Sequence, residues 1–427
     1  MPSPGSPSFF AWDVLVVGAG AAGLATAIFT RLRNPELTVV VLDGARKPGA
    51  KILVSGGGRC NVTNASVSER DYWGGPPAVI RRVLRGLTVP ETVRFFHQAG
   101  VPLHEEERGK LFPDSNSARQ VLDALLTKAA VGGVELRSAH RVTGIGRTDA
   151  GFCVATTAGE MTARLVVLAT GGQSLPKSGS DGAGYALARS LGHTIVPTTP
   201  ALAPLMLAGG GHGREPLHSA LSGVAIDVTL TVWIDGAARV RLAGPMLWTH
   251  FGISGPAALD ASRHWLRARL EQRPVALTGN FAGGMTFEAA EELWIQQARL
   301  RPRAALGTIL ASQLPASVAA ALLDSLGIDA ATPLASLTRE TRRQLSHALT
   351  AWPLPVSDSR GYNFAEATAG GVDLTEIDPR TLESRRCRGF FLVGEVLDVD
   401  GRLGGFNFQW AWSSAAVAAR GLSAPQG

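Results

Sequence analysis

The sequence predicts an α/β protein whose parallel sheet binds a dinucleotide and whose chain is interrupted by a second, mainly antiparallel β region. Three observations predict this fold class. A glycine-rich turn separates the first apolar run from an alanine-rich stretch, and small-residue turns follow two later apolar runs. Apolar and polar residues alternate strictly from 224 to 234, as in a half-buried strand. A chain of 427 residues exceeds one ordinary core, so we expect two or three domains.

The first predicted unit is a strand, a tight turn and a helix, with the sequence WDVLVVGAGAAGLATAI at residues 12–28. Gly18 would form the turn, Gly20 would let a pyrophosphate approach the backbone, and Gly23 would let the helix pack on the strand. The first helical residues, Ala21 and Ala22, would direct unpaired N–H groups toward the phosphates.

A second apolar run, about 20 residues after the glycines as this motif expects, ends in Asp43. A carboxylate at the tip of the second strand can accept hydrogen bonds from ribose hydroxyls. The alternative is a signal or transmembrane segment, because residues 14–29 are nearly uncharged. The preceding Asp13, the lack of a basic region and the three glycines argue against it. The segment therefore predicts dinucleotide binding.

The composition is that of a soluble globular protein, with 45% hydrophobic and 18% charged residues. The cysteines Cys60, Cys153 and Cys387 lie far apart, which predicts neither a disulfide framework nor a metal site. With no targeting segment in the sequence, we expect a cytoplasmic protein without membrane association and a flexible leader at residues 1–9.

The net charge of +6 comes almost wholly from arginine, and the pI is about 9.6. Two interpretations stay open. Arginine richness follows from genomic base composition in some organisms, or it marks contact with a polyanion such as RNA.

A glycine run in the segment ILVSGGGRCNVTN is the next candidate binding loop. It can wrap backbone N–H groups around phosphates or a ring edge, with an arginine as counter-charge. A flexible surface loop is the alternative, but the small, polar and reactive types that follow favour a binding loop. The loop consists of Ser55, Gly56, Gly57, Gly58, Arg59, Cys60 and Asn61.

Residues 76–102 predict a pair of amphipathic helices whose arginines, Arg81, Arg82, Arg85 and Arg94, lie on a solvated face. A further helix begins at Ser117.

Strands are predicted over 134–142, 152–156 and 165–169, and a capped helix over 180–193. The last of these strands ends in Thr170, Gly171 and Gly172. A small-residue turn at the carboxyl end of a buried strand is where a parallel sheet meets its ligand.

The character of the chain changes after a proline-rich boundary at 197–210. The alternating strand at 224–234 turns at Asp235 and Gly236 and predicts a β sheet or small barrel. This region ends in a small-residue segment around His250.

Residues 263–351 predict helices with breaks at four prolines. Arginines outnumber nearby acids there, so this stretch is the most plausible RNA-facing surface; a solvated helix face is the alternative. The arginines are Arg263, Arg267, Arg269, Arg273, Arg299, Arg301, Arg303, Arg339, Arg342 and Arg343.

The chain ends with a buried strand at 390–393, a turn at Gly394 and Glu395, a glycine turn and an alanine-rich helix. We expect this strand and helix to rejoin the first domain.

With both ends considered, the chain resembles the HI0933-like (BaiN/YhiN-type) family of FAD-dependent oxidoreductases. The resemblance spans about residues 12–422. It is carried by the motifs VGAGAAGLATA, KILVSGGGRCNVTN, GKLFPDSNSA, LATGGQSLPKSGSDGAGYALARSLGH, THFGISGPAALD, EATAGGVDL and FLVGEVLDVDGRLGGFNFQWAWSSA.

The resemblance implies a Rossmann-like FAD-binding domain of the glutathione-reductase-like, two-dinucleotide-binding type. It also implies an inserted β-barrel-like domain that carries a helical insertion. The expected domains are 10–200 with 352–427 for FAD, 201–262 with about 336–351 for the barrel, and 263–335 for the helical insertion.

The resemblance further implies the site. Asp43 departs from the family's usual Glu but keeps an acceptor for the ribose, Val142 would meet the adenine through its backbone, and Asp400 would contact the ribityl chain or a phosphate. The expected cofactor-binding residues are Gly18, Gly20, Ala21, Ala22, Gly23, Asp43, Gly44, Arg46, Lys51, Ser55, Gly56, Gly57, Gly58, Arg59, Cys60, Asn61, Val142, Thr170, Gly171, Gly172, Gly394, Glu395, Asp400, Gly404, Gly405, Phe406 and Asn407.

The implied chemistry is reduction of an activated C=C bond, with NAD(P)H as transient reductant of non-covalent FAD. Cys60 and His250 are the candidate proton donors; the alternatives are inert packing for a buried Cys60 and a structural role for His250. Family members act on steroid-like enones and on uridine in ribosomal RNA, and the arginine-rich insertion favours RNA. The alternatives are a small-enone reductase or dehydrogenase and a non-catalytic, redox-responsive flavoprotein. The sequence does not indicate an oligomeric state.

Overall fold

The computed structural model describes residues 10–209 and 217–424, so the predicted leader at residues 1–9 lies outside the described residues. The chain divides into two compact units. The first unit combines Met1–Thr198 with Glu366–Gly427, and the second unit is the continuous segment Thr199–Ala365.

The first part of the chain contains eleven of the described strands and six of the described α-helices. The strands are β1 (Trp12–Val17), β2 (Val39–Leu42), β3 (Thr63–Asn64), β4 (Tyr72–Gly74), β5 (Leu103–Glu106), β6 (Lys110–Pro113), β7 (Glu135–Arg137), β8 (Val142–Arg147), β9 (Phe152–Thr156), β10 (Gly159–Leu168) and β11 (Ile195–Ala201). The helices are α1 (Ala21–Arg33), α2 (Ala50–Val54), α3 (Pro77–Leu84), α4 (Val89–Gln98), α5 (Ala118–Val131) and α6 (Ala183–Ser190).

The middle and the end of the chain contain the remaining elements. The strands are β12 (Leu205–Leu207), β13 (Ala225–Ile234), β14 (Ala237–Thr249), β15 (Gly252–Ser254), β16 (Val275–Asn280), β17 (Trp352–Leu354), β18 (Val356–Ser359), β19 (Ala367–Val372), β20 (Phe390–Leu392) and β21 (Val399–Gly401). The helices are α7 (Leu217–Ala220), α8 (Pro256–Leu270), α9 (Phe287–Leu300), α10 (Leu306–Ala311), α11 (Ala316–Leu326), α12 (Arg339–Ala351) and α13 (Phe406–Leu422).

The main sheet of the first unit has the order β7-β2-β1-β10-β9-β8, and β20 also pairs with β10. Strand β1 runs parallel to β2 and β10, and β20 runs parallel to β10. The run from Val14 to Val17 is buried, as expected for a parallel strand covered on both faces. Because β20 comes from the end of the chain, the prediction that the last strand rejoins the first domain is confirmed.

This topology brings distant segments to one edge of the sheet. The carboxyl ends of β1, β2, β10 and β20 are followed by the first glycine turn, by Asp43, by Thr170 and by Gly394, respectively. Parallel neighbours end at the same edge, which is where open α/β sheets bind their ligands.

The sheet of the second unit has the order β17-β16-β13-β14-β15-β12-β18. The predicted turn between β13 and β14 is confirmed, and both Asp235 and Gly236 have positive φ, at 54° and 75°. The two end strands, β17 and β18, are separated in sequence by Pro355 alone. One residue spans only about 3.8 Å, so the sheet curls until its two edges meet there. A fully hydrogen-bonded barrel stays a prediction.

The structure differs from the predicted secondary structure in two places. Residues 275–280, expected within the helical region, form strand β16, which pairs with β13 and β17. The predicted strand at 134–142 is divided into β7 and β8, because the chain turns at Ala139, where φ is 58°.

Strands β17 and β18 belong to the second unit's sheet, although residues 352–359 were expected in the FAD domain. No described helix is long and apolar enough to cross a membrane.

Candidate functional site

The three glycines of the first turn occupy distinct environments. A Cβ atom on Gly18, where φ is +106°, would lie 2.5 Å from the carbonyl oxygen of Ala169. A Cβ atom on Gly23 would lie 1.9 Å from the carbonyl oxygen of Gly18. Beside Gly20, by contrast, no atom lies within 4 Å of the Cβ position. The turn is therefore closely packed on the protein side and open where α1 begins, which suits phosphate groups.

Asp43 is tied to the backbone of this turn. Its Oδ2 accepts a hydrogen bond of 2.8 Å from the Ala19 N–H, and its Oδ1 accepts one of 2.8 Å from the Ala45 N–H. Each carboxylate oxygen can accept a second bond, so the group retains acceptor capacity while it supports the turn. Gly44 beside it packs on the side chain of Arg141.

Buried hydroxyl groups without protein partners lie next to the turn. Thr170 Oγ1 and Ser180 Oγ have no hydrogen-bond partner among the described residues. A Cβ atom on Gly171 would lie 2.7 Å from Ser180 Oγ, and one on Gly184 would lie 1.9 Å from Thr170 Oγ1. Unpaired buried hydroxyls are unfavourable, so these two are available to a group bound beside the turn.

The predicted loop at 55–61 turns sharply at its three glycines. Gly56, Gly57 and Gly58 all have positive φ, at 56°, 67° and 87°. The Cβ position of Gly57 faces open space. Asn61, which is 8% exposed, buries its Oδ1 without a partner among the described residues.

Arg59 already has partners within the first unit. Its guanidinium lies 2.6 Å from Glu106 Oε1 and 4.1 Å from the centre of the Phe112 ring. Its charge is therefore partly neutralised before any ligand binds.

Cys60 is fully buried and has a φ of 62°. Burial raises the pKa of its thiol to about 12. The thiol is therefore protonated at neutral pH and is not a thiolate nucleophile.

Lys51 and Glu395 are brought together by the fold. They form an ion pair. Glu395 Oε1 also accepts hydrogen bonds of 2.9 Å from Ser174 Oγ and from the Thr368 N–H. Sequence reasoning missed Ser174 and Thr368, although both stand in motifs that carry the resemblance, LATGGQSLPKSGS and EATAGGVDL.

The glycine turn near the end of the chain packs against the backbone of Thr63 in β3. Gly404 and Gly405 have φ values of 123° and 91°, and a Cβ atom on Gly405 would lie 2.4 Å from the backbone of Thr63. The side chain of Asn407 hydrogen-bonds both backbone groups of Gly401, at 2.8 and 3.0 Å. That amide therefore shapes the turn, and contacts to a cofactor from this segment would come from its backbone.

The remaining predicted residues lie in several places. Phe406 and Asp400 are buried, Val142 begins β8 and is 8% exposed, and Arg46 is exposed. A Cβ atom on Gly394 would lie 2.7 Å from the Ala22 side chain, so this glycine lets β20 approach α1. All of these belong to the first unit.

His250 belongs to the second unit. It is exposed in the turn between β14 and β15, and its ring lies edge-on to Phe251 at 5.1 Å. Its predicted role as a proton donor stays a prediction.

Comparison with known proteins identifies the family. Residues 12–421 match the model described as the HI0933-like protein Rossmann domain. The chain belongs to the HI0933-like family. Within it, the chain is 33% identical to the ribosomal RNA dihydrouridine synthase of Escherichia coli (strain K12), over 97% of this chain and 98% of that protein. It is 32% identical to the 3-dehydro-bile acid delta(4,6)-reductase of Clostridium scindens, over 95% and 97% of the two chains.

Solved structures resemble the HI0933-like chain in fold. FrdA of the E. coli quinol fumarate reductase has a TM-score of 0.50 at 15% identity, over 96% of this chain and 70% of that chain. A quinol–fumarate reductase with menaquinol molecules has a TM-score of 0.51, also at 15% identity and with the same coverage of both chains. At this identity the likeness concerns the fold alone, and it agrees with the predicted Rossmann-like α/β architecture.

Proposed function

We propose that this protein is an FAD-dependent oxidoreductase that reduces an activated C=C bond, with uridine in ribosomal RNA as the substrate and NAD(P)H as the reductant. The observation that carries the proposal is an open glycine turn lined by unpaired buried polar groups, in a chain similar over 97% of its length to a ribosomal RNA dihydrouridine synthase.

The residues at the sheet edge fit FAD. The turn at Gly18 and Gly20 with the start of α1 would hold the pyrophosphate, and Asp43 would accept from the ribose. The loop around Asn61 and the turn at Gly404 would meet the flavin. Each unpaired buried polar atom costs about 1–3 kcal/mol, and a bound cofactor would remove that cost at Asn61, Thr170 and Ser180. When bound, FAD would supply hydride-transfer chemistry.

The protein's own task is to orient the substrate and to protonate one carbon of the double bond, the neighbour of the carbon that receives the hydride. Cys60 and His250 are the proposed donors. With its pKa raised to about 12, the Cys60 thiol carries a proton at neutral pH and can act only as an acid.

An RNA substrate must present the uridine unpaired, because its C5–C6 bond is covered within a stacked helix. Some arginines of the predicted helical stretch at 263–351 are already engaged. Arg273 lies 2.6 Å from Asp235, and Arg342 lies 3.2 Å from Glu291. Exposed arginines without a side-chain partner among the described residues remain for the proposed RNA contact, and they are Arg299, Arg301, Arg303 and Arg339.

The decisive experiment is a turnover assay on ribosomal RNA from a strain that lacks this protein. We expect NADPH or NADH oxidation that depends on the RNA and dihydrouridine in the subsequent nucleoside analysis. Oxidation of the nicotinamide without any dihydrouridine would exclude RNA as the substrate.

Similarity to the bile acid reductase favours a second candidate, a reductase of small hydrophobic enones. The same assay with a steroid-type enone in place of RNA separates the two. This candidate is supported only when the enone, and not the RNA, accelerates nicotinamide oxidation.

A further inference from the structure

A surface cleft of about 440 Å³ lies in the first unit, between the segment after β3 and helices α3 and α4. The cleft includes neither the glycine turns nor the ion pair of Lys51 with Glu395. Its lining residues are Ala65, Ser66, Val67, Ser68, Glu69, Arg81, Leu84, Arg85, Thr88, Val89, Pro90 and Gln409.

Two arginines give one wall of the cleft its charge. Arg81 and Arg85 are four residues apart at the carboxyl end of α3, so they lie on the same face. Arg81 is paired only loosely, at 3.5 Å from Glu69, and its side chain is 51% exposed. The guanidinium of Arg85 has no hydrogen-bond or ion-pair partner among the described residues. The wall therefore offers cationic groups that are available to an anion.

One lining residue of the cleft, Gln409, connects it to the proposed flavin site. Gln409 is 1% exposed, its Nε2 donates to the Leu87 carbonyl at 2.8 Å, and its Oε1 accepts from Thr63 Oγ1 at 2.6 Å. The Gln409 N–H donates to the carbonyl of Gly405 at 3.0 Å. Gln409 thus lies about one helical turn, roughly 6 Å along α13, from the glycine turn that is proposed to meet the flavin.

The lining also indicates which part of a ligand fits. None of the twelve lining residues is aromatic, so the cleft lacks a surface on which a base or nicotinamide ring would stack. Arginines and hydroxyl groups are the usual partners of phosphate oxygens. The cleft therefore suits a sugar–phosphate chain whose base is directed elsewhere.

We propose that this cleft binds the phosphodiester backbone of the RNA strand beside the uridine to be reduced. The inference rests on the proposed function, which makes RNA the substrate. It reassigns Arg81 and Arg85, expected from the sequence on a solvated face, to RNA binding. It also places an RNA contact in the first unit in addition to the arginine-rich insertion.

The test compares two single variants of the full-length, FAD-loaded protein at positions three residues apart, around the carboxyl end of α3. Arg85→Gln removes a cleft arginine, and Arg82→Gln removes an exposed arginine of α3 that does not line the cleft. Both changes lower the net charge equally. The probes are a single-stranded oligouridylate and ribosomal RNA from a strain lacking the protein, with binding measured over a range of salt concentrations.

We expect Arg85→Gln to reduce the slope of log affinity against log salt by about 0.7, and R81Q/R85Q to reduce it by about 1.4, the values for one and two phosphate contacts to a single strand. Arg82→Gln should leave the slope unchanged. The KM for RNA should rise in the cleft variants. Flavin content and thermal unfolding, measured for each variant, verify that the fold is intact.

The cleft assignment fails if the wild-type protein forms dihydrouridine while Arg85→Gln keeps the wild-type slope, or if Arg82→Gln weakens binding as much as Arg85→Gln. It also fails if Arg85→Gln raises the KM for NADPH and leaves RNA affinity unchanged, because the cleft then holds the nicotinamide cofactor. If the wild-type protein forms no dihydrouridine, the proposed function fails first, independently of the arginine variants.

Discussion

Cys60 shows how much a single side chain depends on its surroundings. In the sequence it follows a glycine loop and has the character of a reactive group, but the fold buries it completely and raises the pKa of its thiol to about 12. A proton held this firmly leaves only for a strongly basic acceptor, such as a carbon that has gained an electron pair.

If Cys60 is the proton donor, Cys60→Ala should keep FAD bound and slow substrate reduction by about 10²-fold, the usual contribution of a positioned acid. Rapid-mixing measurements of the oxidative half-reaction provide the test, with bound flavin measured in parallel. Wild-type rates in Cys60→Ala would exclude it. His250→Asn, measured in the same way, would then identify the alternative donor.

His264 links stability to pH in the second unit. Burial, together with the neighbouring charge of Arg263, lowers the pKa of its imidazole from 6.5 to about 3. The unfolded chain therefore binds a proton that the folded chain does not bind. Stability from this group is complete above the unfolded pKa and is lost as the pH falls toward the folded one.

As the pH falls from about 8 to about 5, we therefore expect protonation of His264 in the unfolded chain to lower the free energy of unfolding by about 2 kcal/mol. His264→Gln should remove that part of the pH dependence, whatever its effect on absolute stability. Urea unfolding at several pH values measures it, with His97→Gln, a change at an exposed position, as the control. An unchanged pH profile in His264→Gln contradicts the assignment.

Polar contacts between distant segments are the part of the site that the sequence hides. Ser174 and Thr368 meet Glu395 only because β10, β19 and the end of β20 converge. Each is a single polar residue with no periodic or spacing signal of its own. The glycines of the first turn were predictable because they follow a known spacing within six consecutive residues, and two of them, Gly18 and Gly23, meet steric requirements of the fold.

At the level of elements, the first turn separates packing from binding. Gly20 has an ordinary φ of −82° and open space at its Cβ position, so an alanine fits the protein. Gly18 has neither freedom, because its φ is +106° and Ala169 blocks its Cβ position.

Gly20→Ala should therefore keep the melting temperature of the cofactor-free protein and weaken FAD binding at least about tenfold, or about 1.4 kcal/mol. Gly18→Ala should instead lower the melting temperature itself, because it combines backbone strain with a steric clash. Flavin titration and thermal unfolding without FAD distinguish the two. Full FAD affinity in Gly20→Ala would show that no phosphate approaches this backbone.

The missed strand β16 illustrates the limits of local patterns. Its six residues follow Pro274 within a region rich in alanine and leucine, and only alternate positions are buried. A short segment of this kind is ambiguous until a partner is known, and its partners, β13 and β17, lie far away in sequence. The β13–β14 hairpin was predictable because its turn residues and its alternation are contiguous.

At the scale of the whole molecule, the first unit is discontinuous and the second is continuous. Strand β20 and helix α13 come from the end of the chain, and α13 packs on α1 with most of its residues buried. The first unit is therefore incomplete without the last segment, whereas the second unit contains its own hydrophobic core.

A chain truncated after Ala365 should accordingly bind no FAD and yield a protease-resistant fragment that corresponds to the second unit. The full chain, treated identically, should bind FAD and protect both units. Limited proteolysis followed by mass spectrometry, with flavin fluorescence, measures both outcomes. Stoichiometric flavin in the truncated chain would show that β20 and α13 are dispensable for the site.

The pairing of β10 with β20 also has a consequence for biosynthesis. On the ribosome, β1, β2 and β10 emerge early, and the second unit can fold as soon as its own residues have left the exit tunnel. The first unit must wait for almost the entire chain, with residues 166–168 of β10 unpaired on the side that β20 later joins. The nascent chain can therefore bind the flavin only late in synthesis. Until then the strands of the first unit are incompletely paired, and this is when the chain most needs protection by a chaperone.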